Sequence, residues 1–280
     1  MSLTIASLNS GSNGNCYYIG NKEEAVLVDA GISCRETERR MKRLELSMKK
    51  VKAIFITHEH ADHISGLHKL VKRFSIPIYI THKTRKNQLL HWSESMAVHF
   101  TAYEPIRIGE LTITASPRFH DANDPHSFVI SSEGVNVGVF TDIGRVSEDV
   151  ITNFQLCHAA FLESNYDEDM LQNGGYPLRL KNRIRGGDGH LSNKEALQLF
   201  LNHRPSFMTH LILSHLSQNN NTPEIVENLF NKVAGSTQII IASRKEETPV
   251  YQIGNYSLSP ALRPRLKLKK NQDQLSLFEV

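Results

Sequence analysis

Cysteine is scarce in this chain, with three in 280 residues. They are widely spaced, odd in number and form no CxxC pair, which argues against a disulfide framework and for a reducing compartment. Cys16, Cys34 and Cys157 are therefore expected to be packing residues rather than ligands or nucleophiles. The chain also has no N-terminal basic–apolar–small leader and no apolar run of membrane-spanning length, so a cytoplasmic protein with no membrane partner is expected. A strong charge of either sign is missing too: the net charge of +3 does not by itself require a nucleic-acid partner. Proline and glycine are modest and hydrophobic content is ordinary, as in a globular chain of one large domain or two small ones.

Histidine, by contrast, is concentrated. Thr57-His58-Glu59-His60-Ala61-Asp62-His63 follows the apolar run Ala53-Ile54-Phe55-Ile56, which reads as a buried strand. His58 and His60 are two apart where that strand ends, so both rings leave on one face. Asp62 and His63 lie in the turn beyond, within reach of a second point beside the first. Three imidazoles and a carboxylate in six residues suit zinc, manganese or iron.

The rest of the chain alternates strand and helix signals. Strands are expected at 3–8, 16–19, 25–28 and 76–80, through much of 106–140, and at 159–163, 211–214, 238–242 and 249–253. Ser33 with Glu36 has the spacing of a capping box for a helix running towards Leu46. Ile64, Leu67, Leu70, Val71 and Phe74 recur at helical spacing, and further helices are expected at 193–202 and 223–232. Two sheets packed face to face with helices outside would bury these runs, although periodicity alone does not require four layers. The glycine-rich stretch 173–189 reads as a long functional loop. One domain is expected over 1–259, followed by a basic, polar tail over 260–280.

A two-metal centre needs further ligands, and polar residues stand where other apolar strands stop: Asp29, His120, Asp142 and His215. His58-x-His60-x-Asp62-His63 with these four in order resembles the metallo-β-lactamase superfamily. The resemblance implies an α/β fold, the four-layer αββα sandwich, with a dinuclear metal site at one sheet edge. It places His58, His60 and His120 on one divalent ion, Asp62, His63 and His215 on the other, and Asp142 between them. Asp29 would support the loop and the ligands from behind.

Two such ions about 3.5–4 Å apart make water acidic enough to attack near neutral pH, so the centre implies a hydrolase. Lactams, thioesters, lactones and phosphodiesters are all cut by relatives. Three features favour phosphodiesters. Gly189-His190-Leu191-Ser192-Asn193 resembles the extra histidine motif of nucleic-acid-cutting members; there His190 would protonate the leaving oxygen or neutralise the phosphorane, acting with Asp62 and Asp29 as the catalytic set. Arg179, Lys181, Arg183 and Arg185 alternate with other residues and, if extended, lay four cations along one side. Ser10 to Asn15 is first a hairpin-turn signal, and alternatively a backbone nest for a terminal phosphate. Ser12, Asn15, the four cations and Asn193 are thus the candidate DNA contacts.

Together with His120-Asp121-Ala122, Leu162-Glu163-Ser164-Asn165 and His215-Leu216-Ser217, these motifs resemble the bacterial YycJ/WalJ-like branch, described as 5′→3′ exonucleases on double-stranded DNA linked to repair. His126-Ser127-Phe128 departs from the Gly-aromatic pair expected there. An RNA-processing nuclease and a small-molecule metallohydrolase are the alternatives. Near the C-terminus, Gln274-Leu275-Ser276-Leu277-Phe278 resembles the pentapeptide by which bacterial replication and repair proteins bind the sliding clamp. Arg263 to Lys270 could hold DNA loosely beside it.

Overall fold

Val26 and Val28 point between two sheets while Ala25 and Leu27 face outward onto helices, so the run Ala25–Val28 is apolar at every position. A computed structural model of the protein describes residues 2–86 and 96–254. The first sheet contains β1 (Ser2–Asn9), β2 (Cys16–Gly20), β3 (Ala25–Val28), β4 (Val51–Phe55), β5 (Ile78–Ile80) and β6 (Ala97–His99). The second contains β7 (Ile106–Ile108), β8 (Leu111–Pro117), β9 (His126–Ser132), β10 (Val135–Phe140), β11 (Ala159–Glu163), β12 (His210–Ser214) and β13 (Gln238–Ile241). A last strand, β14 (Tyr251–Gly254), returns to pair with β1, giving the orders β14-β1-β2-β3-β4-β5-β6 and β13-β12-β11-β10-β9-β8-β7.

The inner faces meet in one apolar layer that includes Tyr17, Phe55, Phe128 and Phe161. The rings of Tyr17 and Phe161 join the sheets at 4.9 Å, and those of Phe55 and Phe128 at 5.5 Å. Outside the first sheet, α1 (Cys34–Arg43), the single turn α2 (Ala61–Ile64) and α3 (Leu67–Phe74) bury Met41, Ile64, Leu67 and Leu70. A further turn, α4 (His82–Arg85), follows β5. Over the second sheet, α5 (Glu148–Phe154) buries Val150 and Phe154. Then come α6 (Glu168–Asn173), α7 (Leu178–Ile184), α8 (Asn193–His203) and α9 (Pro223–Asn231). This is the expected four-layer arrangement. Among the described residues, no helix is long and apolar enough to cross a membrane.

Local chemistry fixes the helix starts. Ser192 and Glu195 form both halves of a capping box on α8. On α1 only half forms: Ser33 accepts the N–H of Glu36, whose carboxylate turns instead to Arg39 at 2.7 Å and Arg40 at 2.6 Å. The three cysteines are buried and unbonded to one another.

One expectation is overturned. The stretch 173–189 is not a continuous loop, because α7 occupies Leu178–Ile184 behind Pro177. Leu180 and Ile184, four apart, pack against a small cluster with Tyr166, Leu171 and Tyr176. The glycines at both ends hide a helical turn whose apolar residues, four apart, are too few to show a period.

The topology sets the site. β3 and β4 run parallel, as do β10, β11, β12 and β13, so their C-terminal ends open towards one rim of the sandwich. Polar groups gather at such ends in α/β sheets.

Candidate metal centre

Asp29 follows β3 directly and His58 lies just past the end of β4. The two ends are laced together: Asp29 N–H donates to Phe55 O at 2.8 Å, and Asp29 Oδ1 accepts the N–H of Thr57 at 2.9 Å. His60 then caps α2, which carries Asp62 and His63. The loop after β3 passes so close to Asp62 that a Cβ on Gly31 would stand 1.7 Å from the Asp62 carbonyl oxygen, so only glycine fits. Asp142 and His215 come off β10 and β12. Both, with Asp29, take left-handed backbone angles (φ 54°, 58° and 62°). Such angles are uncommon without glycine, and they cluster where a side chain must be aimed at a site.

The ligand candidates converge in two groups with one member between them. His58, His60 and His120 form the first and Asp62, His63 and His215 the second, the donor atoms of each lying within 4.8 Å of one another. His60 Nδ1 and His120 Nε2 are 3.4 Å apart. Asp62 Oδ2 is 3.5 Å from His63 Nε2 and 3.4 Å from His215 Nε2. Asp142 spans the groups, with Oδ2 3.2 Å from His63 Nε2 and Oδ1 3.5 Å from His215 Nε2 and 3.9 Å from His120 Nε2. Ligand atoms at about 2.1 Å around a tetrahedral ion stand about 3.4 Å from each other, so the spacing suits divalent metals. The buried Nε2 of His58 and Oδ2 of Asp142 have no hydrogen-bond partner, as expected of atoms that bind a cation.

The opposite ring nitrogens complete that fit. Thr57 Oγ1 gives its proton to Asp29 and lies 2.9 Å from His58 Nδ1, so it can accept that ring's proton in the tautomer whose Nε2 lone pair is free for a cation. His63 Nδ1 donates to Asp29 at 2.7 Å, His120 Nδ1 to Gly189 O at 3.0 Å, and His215 Nδ1 to Glu163 Oε1 at 3.1 Å. Each bond fixes a tautomer that turns Nε2 towards the cluster.

Charge divides the cluster. Burial holds His58 well below the usual histidine range, aided by the charges of His63 and Arg118. Burial likewise pushes His120 down to about 4, Arg118 and His190 adding to it against Asp142. On the other side burial also opposes the charged form, but Asp142 and then Asp62 and Glu163 outweigh it and lift His215 to about 10. His63 rises well above its ordinary value because Asp142, Asp29 and Asp62 likewise overcome its burial. Asp142 is fully buried, yet His215 and His63 keep its carboxyl well below the usual carboxylate range.

His190 stands beside the cluster with its side chain 16% exposed. Its Nδ1 donates to Glu163 Oε1 at 2.9 Å and lies 3.7 Å from Asp142 Oδ1. Glu163 closes β11 fully buried, with Oε2 accepting from Ile143 N and Leu191 N, and it drops to about 2 because His190 and His215 outweigh its burial. Its role was missed, although a glutamate ending an apolar strand fits the same strand-end pattern as Asp142 and His215. Arg118, buried with Nη2 3.1 Å from His58 Nδ1 and Nη1 donating to His126 O, carried no sequence signal. Asn165, whose Nδ2 donates to His215 O at 2.8 Å, was also unassigned. His126, the departure from the family pattern, is buried behind this wall against Phe100.

Several candidate DNA contacts need correction. Asn15 is fully buried and braces the cluster, donating to Asp62 Oδ2 at 3.2 Å, so it faces no ligand strand. Asn193 is buried between Ser164 and Asn221, with its side-chain amide committed to both. The row Arg179, Lys181 and Arg183 is helical, with Arg185 at its C-cap, which places successive members on opposite sides of α7. Arg183 pairs with Asp121 at 2.5 Å, Lys181 donates to Gln172 O, and Arg185 to Asn182 and Gln172. Asp29 is fully buried behind His63 and Thr57, so it orients groups rather than touching a substrate. Ser12 is exposed at the rim. Gln274, Leu275, Ser276, Leu277 and Phe278 lie outside the described residues, as does the expected boundary at 259.

Comparison with known proteins gives the same picture. Residues 10–171 match the family described as the Metallo-beta-lactamase superfamily. The Exodeoxyribonuclease YycJ of Bacillus anthracis is 32% identical over 237 residues, covering 83% of this chain and 89% of that protein. The Exodeoxyribonuclease WalJ of Streptococcus pneumoniae is 29% identical over 233 residues, covering 81% and 87%. In fold, the metallo-beta-lactamase fold protein YhfI from Bacillus subtilis superposes with a TM-score of 0.69 at 18% identity, covering 90% of this chain and 99% of that one.

Proposed function

Since the chain belongs to the metallo-beta-lactamase superfamily, and within it to the branch of the YycJ and WalJ exodeoxyribonucleases, we propose that it removes nucleotides from the 5′ end of double-stranded DNA during repair or replication. It is a metal-dependent hydrolase; the DNA substrate and its polarity are the step beyond. The observation that carries this reading is His190, hung on Glu163 at the mouth of the metal cluster with one ring nitrogen left to face a substrate.

His58, His60 and His120 would hold one divalent ion and Asp62, His63 and His215 the other, with Asp142 contacting both. Ions there supply Lewis acidity, lowering the barrier to water attack and neutralising charge that develops on a phosphodiester. The protein's own residues do the rest. Asp29, Thr57 and Glu163 fix the tautomers and aim of His63, His58 and His215. Glu163 also holds His190 Nδ1–H, which fixes the ring so that Nε2 is the nitrogen left to exchange a proton with the leaving oxygen as the P–O bond breaks. Asp62, one-fifth exposed, is the carboxylate of the cluster most open to attacking water.

We further place this activity in the cytoplasm, in one domain over 1–259, with the tail over 260–280 tethering the enzyme to DNA and, through Gln274 to Phe278, to the sliding clamp. Metal analysis followed by incubation with end-labelled duplex DNA, RNA and a chromogenic lactam tests the function. Mononucleotide release from 5′-phosphorylated duplex is expected. Cleavage of RNA alone, or of the lactam alone, would overturn it. His190→Ala is expected to lower kcat by about 10²–10⁴ with full metal content; unchanged turnover would remove His190 from the mechanism.

A further inference from the structure

Three of the four parallel strands of the second sheet end in residues of the cluster: Asp142 after β10, Glu163 on β11 and His215 after β12. The fourth, β13, runs on into Ser243 and Arg244. Ser10 stitches these last two ends together. Its hydroxyl accepts the N–H of His215 at 2.8 Å, and its own N–H donates to Ser243 O at 3.1 Å. Arg244 therefore stands on the same rim as the metal ligands, about one strand spacing of ~4.8 Å beyond His215.

The segment carrying Arg244 is rigidly held. Arg40 Nη2 donates to Lys245 O at 2.8 Å, Thr248 N to Ser7 O at 2.9 Å, and Asn13 Nδ2 to the Arg244 carbonyl at 2.9 Å. The guanidinium itself is presented by neutral groups: Nη1 donates to Gln218 Oε1 at 2.7 Å and Nη2 to Ser12 Oγ at 3.0 Å. Its Nε is buried and has no partner. Gly11, at φ 139°, lets the Ser10–Asn15 turn close on it, for a Cβ there would stand 3.1 Å from Nη2.

What the guanidinium lacks is an anion. Arg39, Arg40, Arg43, Arg73, Arg183 and Lys194 each meet a carboxylate. Among the described residues, none pairs with Arg244, although burial already works against its charge. A half-desolvated planar cation with neutral supports is well suited to an incoming phosphate. We propose that Arg244, held by Ser12 and Gln218, is the seat of a second substrate phosphate, adjacent along the strand to the one positioned at the metal cluster. This rests on the nuclease reading. Phosphates follow one another at ~3.4 Å per nucleotide along a duplex axis, of the same order as the ~4.8 Å between neighbouring strands, so the neighbour of a phosphate at the cluster can reach Arg244. The inference also gives Ser12 a different part: it orients the cation instead of gripping the phosphate alone.

The test uses the full-length, metal-loaded protein and two probes, inorganic phosphate and a 5′-phosphorylated thymidine dinucleotide with a hydrolysis-resistant phosphorothioate link. In calorimetry, Arg244→Gln is expected to weaken the dinucleotide about tenfold or more, as loss of a charge-assisted contact implies. Phosphate binding should be unchanged, Arg244→Lys should recover part of the loss, and the salt slope for a longer duplex should fall by about 1. Unchanged dinucleotide affinity would overturn the proposal, as would equal weakening of both probes, which would mean that Arg244 only braces the rim. If the wild type binds the dinucleotide through Arg244 yet cuts neither DNA nor RNA, the nuclease reading fails while this phosphate seat stands.

Discussion

Glu163 and His190 share a 2.9 Å hydrogen bond, and the same glutamate oxygen lies 3.1 Å from His215 Nδ1. One buried carboxylate thus ties a ligand candidate of the second metal group to the residue proposed to protonate the leaving oxygen. Mutating Glu163 should therefore damage metal binding and turnover together.

Glu163→Gln keeps the size but replaces one acceptor oxygen with an NH2 group, which must face either the two imidazole donors or the N–H groups of Ile143 and Leu191, so two donors lose their acceptor in either orientation. Loss of such a supporting partner typically weakens metal affinity by about 10–100-fold. Metal titration should show that loss at one of two sites, and kcat at saturating metal should fall as well because His190 loses its anchor. Full activity restored by excess metal would show that His190 does not depend on Glu163.

Thr57 offers a separate check on the first site. Its hydroxyl accepts His58 Nδ1–H at 2.9 Å and donates to Asp29. Thr57→Val keeps the shape and removes that acceptor, leaving a buried N–H unsatisfied at a cost of about 1–3 kcal/mol. Denaturant unfolding should register the loss, and metal titration should show the larger weakening at the His58, His60 and His120 site, with a smaller one passed to the other through Asp29 and His63. Equal weakening of both sites would contradict the division of the ligands.

The ligand candidates Asp142 and His215, and Asp29 behind them, were legible because strand ends are legible: an apolar run that stops on Asp or His is visible without coordinates. Their left-handed backbone angles were not, since nothing in the residue types Asp and His demands them. Asn15 and Asn193 were misplaced for a different reason. A polar side chain near a ligand can either meet the substrate or hold the ligand, and only burial distinguishes the two. The basic row failed on period, because Leu180 and Ile184 serve a helix face as readily as a strand. Arg244 gave no signal at all: what distinguishes it is a cradle of neutral groups, Ser12 and Gln218, on the rim that carries His215, and that depends on which distant residues fold around it.

The split in protonation predicts how metal affinity varies with pH. In the metal-free protein His215 titrates at about 10, above its ordinary 6.5, so its proton stabilises the fold fully below pH 6.5 and that contribution is lost as pH rises through 10. Metal needs the neutral ring, so binding at the Asp62, His63 and His215 site must release protons. Its affinity should rise steadily from pH 6.5 towards 10. His120, pushed down to about 4, and His58, also lowered, are already neutral at pH 7, so their site should fill first and with little pH dependence. Calorimetry in two buffers of different ionisation enthalpy measures the release directly. Two sites with equal pH slopes would refute the asymmetry.

The last prediction concerns the tail. Gln274 to Phe278 combines a hydrogen-bonding amide with Leu and Leu-Phe anchors some twenty residues past Gly254, where the described structure ends. A short anchor on a long tether raises the local concentration of the enzyme at its partner without altering the active site. Deleting 273–280 should therefore abolish binding to the bacterial sliding clamp in a surface-capture assay while leaving cleavage of short duplexes unchanged. Leu277→Ala with Phe278→Ala should reproduce the loss, because those side chains would fill the apolar groove. Retained clamp affinity in either variant would sink the idea. Reduced cleavage of short duplexes by the deletion alone would mean instead that the tail acts on the enzyme's own domain.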